Sequence, residues 1–286
     1  MRDNLSIGIL NEQDIPQLIG LSEKVGWDYD EPEIKTIMAS GRVYGHKTTT
    51  GEITACAAIV PYEEDLASLG MVIVHPDYRR LGLGKAATMK CVQSLPDLVP
   101  IMLISTPEGK PMYEQLGFKL VDGVQKFLCD SYQTQPMNFD MSEYTIEPFQ
   151  SSYLPQIVEL DQAACGARRD KFLAVRIEQA KDAIVAKNSS GKVVGYALSI
   201  RGTVNLLIGP IVAPSHEVAM NLLDRLVIGN KNRIRIDIPQ GQTEFGSVLM
   251  RCGFRMVSQP PIMVLKRDEL PKRSGQLFGI AAQVFG

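Results

Sequence analysis

The sequence predicts a mixed α/β protein built from two copies of one unit, and three observations lead there. Short β-branched runs alternate with helical patterns along the whole chain. Four landmarks recur in the same order in both halves. One stretch, MVIVHPDYRRLGLGKA at 71–86, passes from an apolar strand through a basic, glycine-bearing turn into a helix.

The repeat is read from particular residues. ILNEQDIPQLIGLSEK (9–24) aligns with PFQSSYLPQIVELDQA (148–163), Pro16 falling on Pro155. KTTTGEITACA (47–57) aligns with KNSSGKVVGYA (187–197), Gly51 on Gly191. Val74-His75-Pro76 aligns with Val212-Ala213-Pro214, and Gly117 of EQLGFKLV with Gly253 of MRCGFRMV. Four colinear matches at a nearly constant separation are hard to obtain by chance. The boundary is expected in the polar stretch 130–142, which gives units 1–130 and 143–286, each of common domain size.

In the first unit, residues 5–10 alternate as an edge strand, and Asp14 suits a helix N-cap before IPQLIGLSEKV. A second helix is expected over 31–39, with Pro32 in its first turn. Residues 43–48 and 53–62 pair as a hairpin around Thr50-Gly51, and a further strand runs to Val74. A helix from Gly82 to about residue 94 follows, then a strand at 101–105, a short helix closed by Gly117, and a strand at 119–128.

The stretch at 71–86 has the makings of an anion site. The first N–H groups of a helix have no partner inside it and lie at the positive end of its dipole. Gly82 and Gly84 carry no Cβ, so a phosphate can approach the backbone, and Arg79, Arg80 and Lys85 add charge. The pattern is neither a Walker loop nor a dinucleotide fingerprint. On these residues alone, a plain strand-to-helix turn with a solvated basic face stands beside the diphosphate reading.

A second motif, TPEGKPMYEQLGF at 106–118, bears on that choice. Together with VIVHPDYR and RRLGLGK it resembles the GNAT superfamily of acetyl-CoA-dependent N-acetyltransferases. The resemblance implies two tandem domains, each a mainly antiparallel mixed sheet flanked by helices. It implies acetyl-CoA as cosubstrate, held by Val72, Ile73, Val74, Arg79, Arg80, Leu81, Gly82, Leu83, Gly84 and Lys85. Thr106 stands where the family often has an asparagine. Tyr113 is placed by the resemblance near the coenzyme A sulfur, where it protonates the leaving thiolate, and an oxyanion-binding N–H is placed near Ile73.

An alkyl amine arrives mostly protonated, so its direct attack on a thioester needs a base. Glu63 and Glu64, beside Asp65, are the candidates at the strand before the coenzyme turn; their other reading is a solvated acidic hairpin tip. Trp27 and Tyr29 in GWDYDEPE are candidates for the acceptor pocket, with Asp28, Asp30 and Glu31 able to hold a cationic amine.

The second copy keeps the scaffold and loses the site. Glu217, Met220 and Leu222 stand at the positions of Arg79, Gly82 and Gly84, and Leu249 at that of Tyr113. Coenzyme A is therefore not expected there. LDQAACGARRDKFL, IGPIVAP and LFGIAAQVFG are similar to tandem GNAT proteins with a divergent C-terminal domain. The apolar residues of 272–286 predict that this segment docks on the body of the protein.

Composition narrows the function classes. A net charge of −2 gives no general attraction to nucleic acid or acidic membrane. Five scattered cysteines and three separated histidines argue against a metal site or a disulfide framework and for a reducing cytoplasm. No apolar run is long enough to span a bilayer. The expected acceptor is a small-molecule amine and the expected assembly a monomer or homodimer. A coenzyme A-binding sensor or assembly module without turnover is the second reading; the intact Tyr113 favours the enzyme.

Overall fold

The computed structural model describes residues 5–134 and 143–286; most of the expected linker, 135–142, lies outside the described residues. The first repeat runs β1 (Ser6–Leu10), α1 (Ile15–Glu23), α2 (Glu31–Ser40), β2 (Arg42–Lys47), β3 (Ile53–Tyr62) and β4 (Leu66–Val74). It continues α3 (Leu83–Gln93), β5 (Ile101–Ile104), α4 (Lys110–Gln115) and β6 (Lys119–Cys129). The second repeat runs β7 (Tyr144–Pro148), α5 (Leu154–Cys165), α6 (Asp170–Gln179), β8 (Asp182–Asn188), β9 (Val193–Arg201) and β10 (Asn205–Val212). It closes with α7 (His216–Val227), β11 (Arg233–Pro239), α8 (Thr243–Arg251), β12 (Arg255–Ser258), β13 (Pro261–Leu265) and β14 (Leu277–Gly279).

Local chemistry explains the element ends that matter. Asp30 caps α2, its carboxylate accepting from the Glu33 N–H at 2.9 Å, and Pro32 sits in the first turn. Asp14 does not cap α1. Its carboxylate turns back to accept from the Asn11 N–H at 3.0 Å and pairs with Lys47 at 2.6 Å. β3 is buried at nine of its ten positions, as a largely apolar strand covered on both faces should be.

The two repeats share one 14-stranded sheet, joined by an exchange of their last strands. β13, from the second repeat, pairs antiparallel with β5 of the first, Ile262 opposite Ile104. β6, from the first repeat, pairs over 124–129 with β11 of the second and over 119–123 with β13. One apolar core lies under α1, α2, α5 and α6 and contains Leu277, Ile280 and Phe285 of the C-terminal segment; a second lies under α3 and α4; a third surrounds α7 and α8 and takes Phe278. The segment 277–286 is docked, with Phe285 fully buried against Phe172 at 4.6 Å between ring centroids.

Candidate active site

The site begins where two parallel strands part. β4 and β5 are paired at Ala67–Ile101, Ser68–Met102 and Leu69–Leu103, and then diverge. Among the described residues no strand pairs with that edge of β4 beyond Leu69. A bulge marks the parting: the β3–β4 register slips between Cys56 and Ala58, and Met71 takes a φ of +48°, unusual for a residue with a side chain. The Cys56 thiol holds the bulge by donating to the Met71 carbonyl at 3.3 Å.

The open edge exposes particular amides. The His75 N–H donates to Thr54 O on β3 at 2.8 Å. Strand alternation therefore turns the N–H groups of Val72 and Val74 to the opposite edge, where β5 has left. Ile73 shares His75's direction, so the amides presented to a ligand are those flanking Ile73.

Beyond Val74 the chain turns into α3. Arg80 (φ +64°) and Gly82 (φ +77°) are both left-handed, and the first bond of the helix runs from the Ala86 N–H to Gly82 O at 3.0 Å. The N–H groups of Leu83, Gly84 and Lys85 precede that bond and have no intrahelical acceptor. Arg79, Arg80 and Lys85 are exposed around them and have no ion-pair partner among the described residues. The two glycines do different work. A Cβ on Gly82 would meet nothing within 4 Å, so its need is conformational. A Cβ on Gly84 would lie 3.2 Å from Val74, so its need is close packing of α3 on β4. Leu81 is 59% exposed at the rim of this turn, while Leu83 is buried beneath it.

Tyr113 lies on the same face as α3, buried in the cluster that includes Val72 and Met112 and edge-on to Phe118 at 5.7 Å. Its hydroxyl has no hydrogen-bond partner among the described residues. Burial, and to a lesser degree Cys91, pushes the Tyr113 phenol well above its usual range, so it stays protonated at neutral pH. Thr106 uses its hydroxyl to accept from the Gly109 N–H at 3.1 Å, which shapes the entry to α4.

On the other face of the sheet the parted strands open into a cavity of about 410 Å³ between the repeats. Trp27, Asp28, Tyr29, Asp30 and Glu33 form one wall, and Gly70, Met71 and Ile104–Pro107 form the end toward the splay. Arg201, Asn205, Lys126 and Arg235 face them, and Ala282–Val284 of the C-terminal segment also line it. Trp27 and Tyr29 are half-buried, with ring centroids 6.1 Å apart. Burial raises the Asp30 carboxyl above its usual range, and the charges of Glu33 and Asp28 add to this, against the opposing Glu33 N–H bond. Glu33 is fixed by the buried Arg176 guanidinium and by Gln179 at 2.8 Å.

Glu63 and Glu64 are not part of this arrangement. Both are exposed at the β3–β4 hairpin tip, at the end of β4 away from the splay, and neither lines the cavity. Glu63 faces Arg168 at 4.0 Å. Lys126, Asn205 and Arg235 line the cavity without having been singled out by the sequence. Their signal is faint: they are charged or amide residues in mixed or apolar strands, LVDGVQKFLC, NLLIG and RIRIDI, where polar neighbours do not set them apart.

The second repeat parts its strands at the matching place and then fills the gap. β10 and β11 pair over Asn205–Ile208 and diverge, and β14 takes up the freed edge, Ile211 opposite Gly279 and Val212 opposite Leu277. The Ile280 N–H reaches across to Asp237 O at 2.9 Å. A Cβ on Gly209 would stand 2.0 Å from Ile280 O, so the plug leaves no slot. α7 begins at His216, so the positions matching the basic turn are helical, and Ser215 caps it through the Val218 N–H at 3.4 Å.

An edge of free amides leading to an uncapped, cation-ringed helix start is suited to an anionic ligand such as a diphosphate. Comparison with known proteins agrees. Models of the acetyltransferase (GNAT) domain match residues 28–141 and again 157–279. The chain is 33% identical over 278 residues to YitH, an uncharacterized N-acetyltransferase of Bacillus subtilis (strain 168), covering 97% of each chain. Among solved structures it is similar to a proposed acetyltransferase of Pyrococcus horikoshii, with a TM-score of 0.81 at 18% identity over 99% of this chain and 96% of that one. It is also similar in fold to a tandem GNAT protein from the clavulanic acid biosynthesis pathway, with a TM-score of 0.67 at 14% identity over 92% and 98%. The chain belongs to the GNAT acetyltransferase family and is an acyltransferase of two tandem GNAT domains. The family implies acetyl-CoA as cosubstrate, and the first repeat's free amides and cations fit its diphosphate.

Proposed function

We propose that the protein transfers the acetyl group of acetyl-CoA to the primary amine of a small molecule by direct attack. The observation that carries this reading is the meeting of the open β4 edge with an interrepeat cavity whose volume suits a small acceptor. Acetyl-CoA supplies the activated acyl group. Leu83, Gly84 and Lys85 N–H groups, with Arg79 and Arg80, hold its diphosphate, and the Val72 N–H polarises the acyl oxygen. Trp27 and Tyr29 line the acceptor pocket. Tyr113 keeps its proton at neutral pH and donates it, or a hydrogen bond, to the departing sulfur. In this reading, residues 1–130 form the acetyl-CoA-binding unit and 143–286 the degenerate unit that shapes the acceptor cavity. Five buried free thiols suit a reducing compartment.

We assign the general base to Asp30 in place of Glu63 or Glu64, because it lines the cavity, is held by its capping bond, and has a raised proton affinity. A base works only when deprotonated, so kcat/KM falls as pH drops through its raised pKa. Asp30→Asn keeps the α2 cap and cannot take a proton. It is expected to lower kcat about 100-fold and to flatten the acidic limb of the pH–rate profile.

The reading is tested by thiol release from acetyl-CoA over a panel of small amines. Amine-dependent release supports it. Tight acetyl-CoA binding with no acceleration by any amine, and no change on Tyr113→Phe, would establish the sensor instead.

A further inference from the structure

The cavity wall opposite Asp28 and Asp30 is cationic, and the strand exchange builds it. Because β6 of the first repeat lies beside β11 of the second, Lys126 comes to stand directly opposite Asp237. Arg235 lies two residues along the same face. Arg235 gives Nε and Nη2 to Asp237 at 3.1 and 2.6 Å, which leaves its other guanidinium nitrogen free for the cavity. The Lys126 ammonium has no hydrogen bond or ion pair among the described residues. Burial first, then Arg235, pushes Lys126 below its usual range against the attraction of Asp237 and Asp28, and a bound anion would offset the cost that remains. Asn205 Oδ1 is a second orphan in the same cavity: it is buried and accepts from no donor among the described residues. Its amide nitrogen is 3.4 Å from Asp28. The cavity thus offers, on one wall, a cation without a hydrogen-bonded partner and an acceptor without a donor among the described residues, the acceptor's amide lying beside the Asp28 carboxylate of the facing wall.

We infer that the acceptor amine carries a carboxylate, in the manner of an amino acid, with that carboxylate bound by Lys126 and Arg235 and its N–H donors facing Asn205 and Asp28. An alkyl amine without the anionic group would leave Lys126 unpaired. This rests on the acetyltransferase reading given above.

The test compares thiol release from acetyl-CoA with the common α-amino acids, β-alanine and 4-aminobutyrate against the same compounds with the carboxylate removed or amidated. Aminoalkyl phosphates of matched length form a third arm. The wild-type protein is expected to favour a carboxylated acceptor over its decarboxylated partner by at least about tenfold in kcat/KM, one decade corresponding to ~1.4 kcal/mol. Lys126→Met should collapse that ratio toward one, and Lys126→Arg should retain most of it. Acetyl-CoA affinity, measured on the same preparations, reports whether each variant is folded. Equal or better use of the decarboxylated amines, a preference for the phosphates, or an unaltered ratio in Lys126→Met would overturn this inference alone. Failure of every amine to release thiol would overturn it together with the reading on which it rests.

Discussion

The two repeats part their strands at the same place and treat the gap in opposite ways. In the first, β4 leaves β5 after Leu69 and its free edge runs into the uncapped start of α3. In the second, β10 leaves β11 after Ile208, β14 closes the edge, and α7 starts early under a serine cap. A duplicated scaffold thus carries one ligand slot and one plug. After filling the second splay, the same segment crosses to the first repeat, where Val284 lies against Gly70 and accepts from the Ser68 hydroxyl at 2.9 Å. The tail that closes one slot forms part of the cavity beside the other.

The largest effect is expected where the repeats hold each other. Arg176 is fully buried, binds Glu33 of the first repeat and Ala281 O of the tail at 2.8 Å, and lies 5.0 Å from the Phe285 ring. Arg176→Met leaves Glu33 without its ion-pair partner, held only by Gln179 among the described residues, and should cost about 3–5 kcal/mol in urea unfolding. A cost under ~1 kcal/mol would mean that the interrepeat pair is dispensable. Next comes a transplant of the second repeat's residues into the first. Gly82→Met forces a side chain into a left-handed backbone, and Gly84→Leu drives α3 away from Val74. The double variant should bind acetyl-CoA about 100-fold more weakly in calorimetry, or ~2.7 kcal/mol.

A smaller loss is expected for Tyr113→Phe. A hydrogen bond to a developing thiolate is worth about 1.5 kcal/mol, or about tenfold in kcat. Because the phenol's proton affinity is raised, the loss should be constant from about pH 7 to 9. The smallest effect belongs to a partial change in the second repeat. Ser215→Ala with Glu217→Arg removes the cap and the acid of α7. It should create no second acetyl-CoA site, because β14 still occupies the splay.

Much of this comparison was legible in the sequence. Gly82 and Gly84 against Met220 and Leu222, and Tyr113 against Leu249, already set the two copies apart. The order of elements in the first repeat follows from β-branched runs, Pro32 and Gly117, because those signals are local. Strand partnership is not local. β6 and β13 end equivalent repeats with similar residues, and nothing in their pattern says that each joins the other's sheet. The cavity wall of Lys126, Asn205 and Arg235 exists only through that exchange. For the same reason Glu63 and Glu64, which precede the glycine-bearing turn in sequence, sit at the far end of β4 from that turn, while Asp30 comes to the cavity from another element.

The central claim is that one repeat keeps the slot and the other has filled it. Calorimetric titration of acetyl-CoA into the full chain tests this most directly. The account predicts one equivalent bound per chain, lost in the Gly82→Met/Gly84→Leu variant. Two equivalents per chain, or one that survives in that variant, would contradict it.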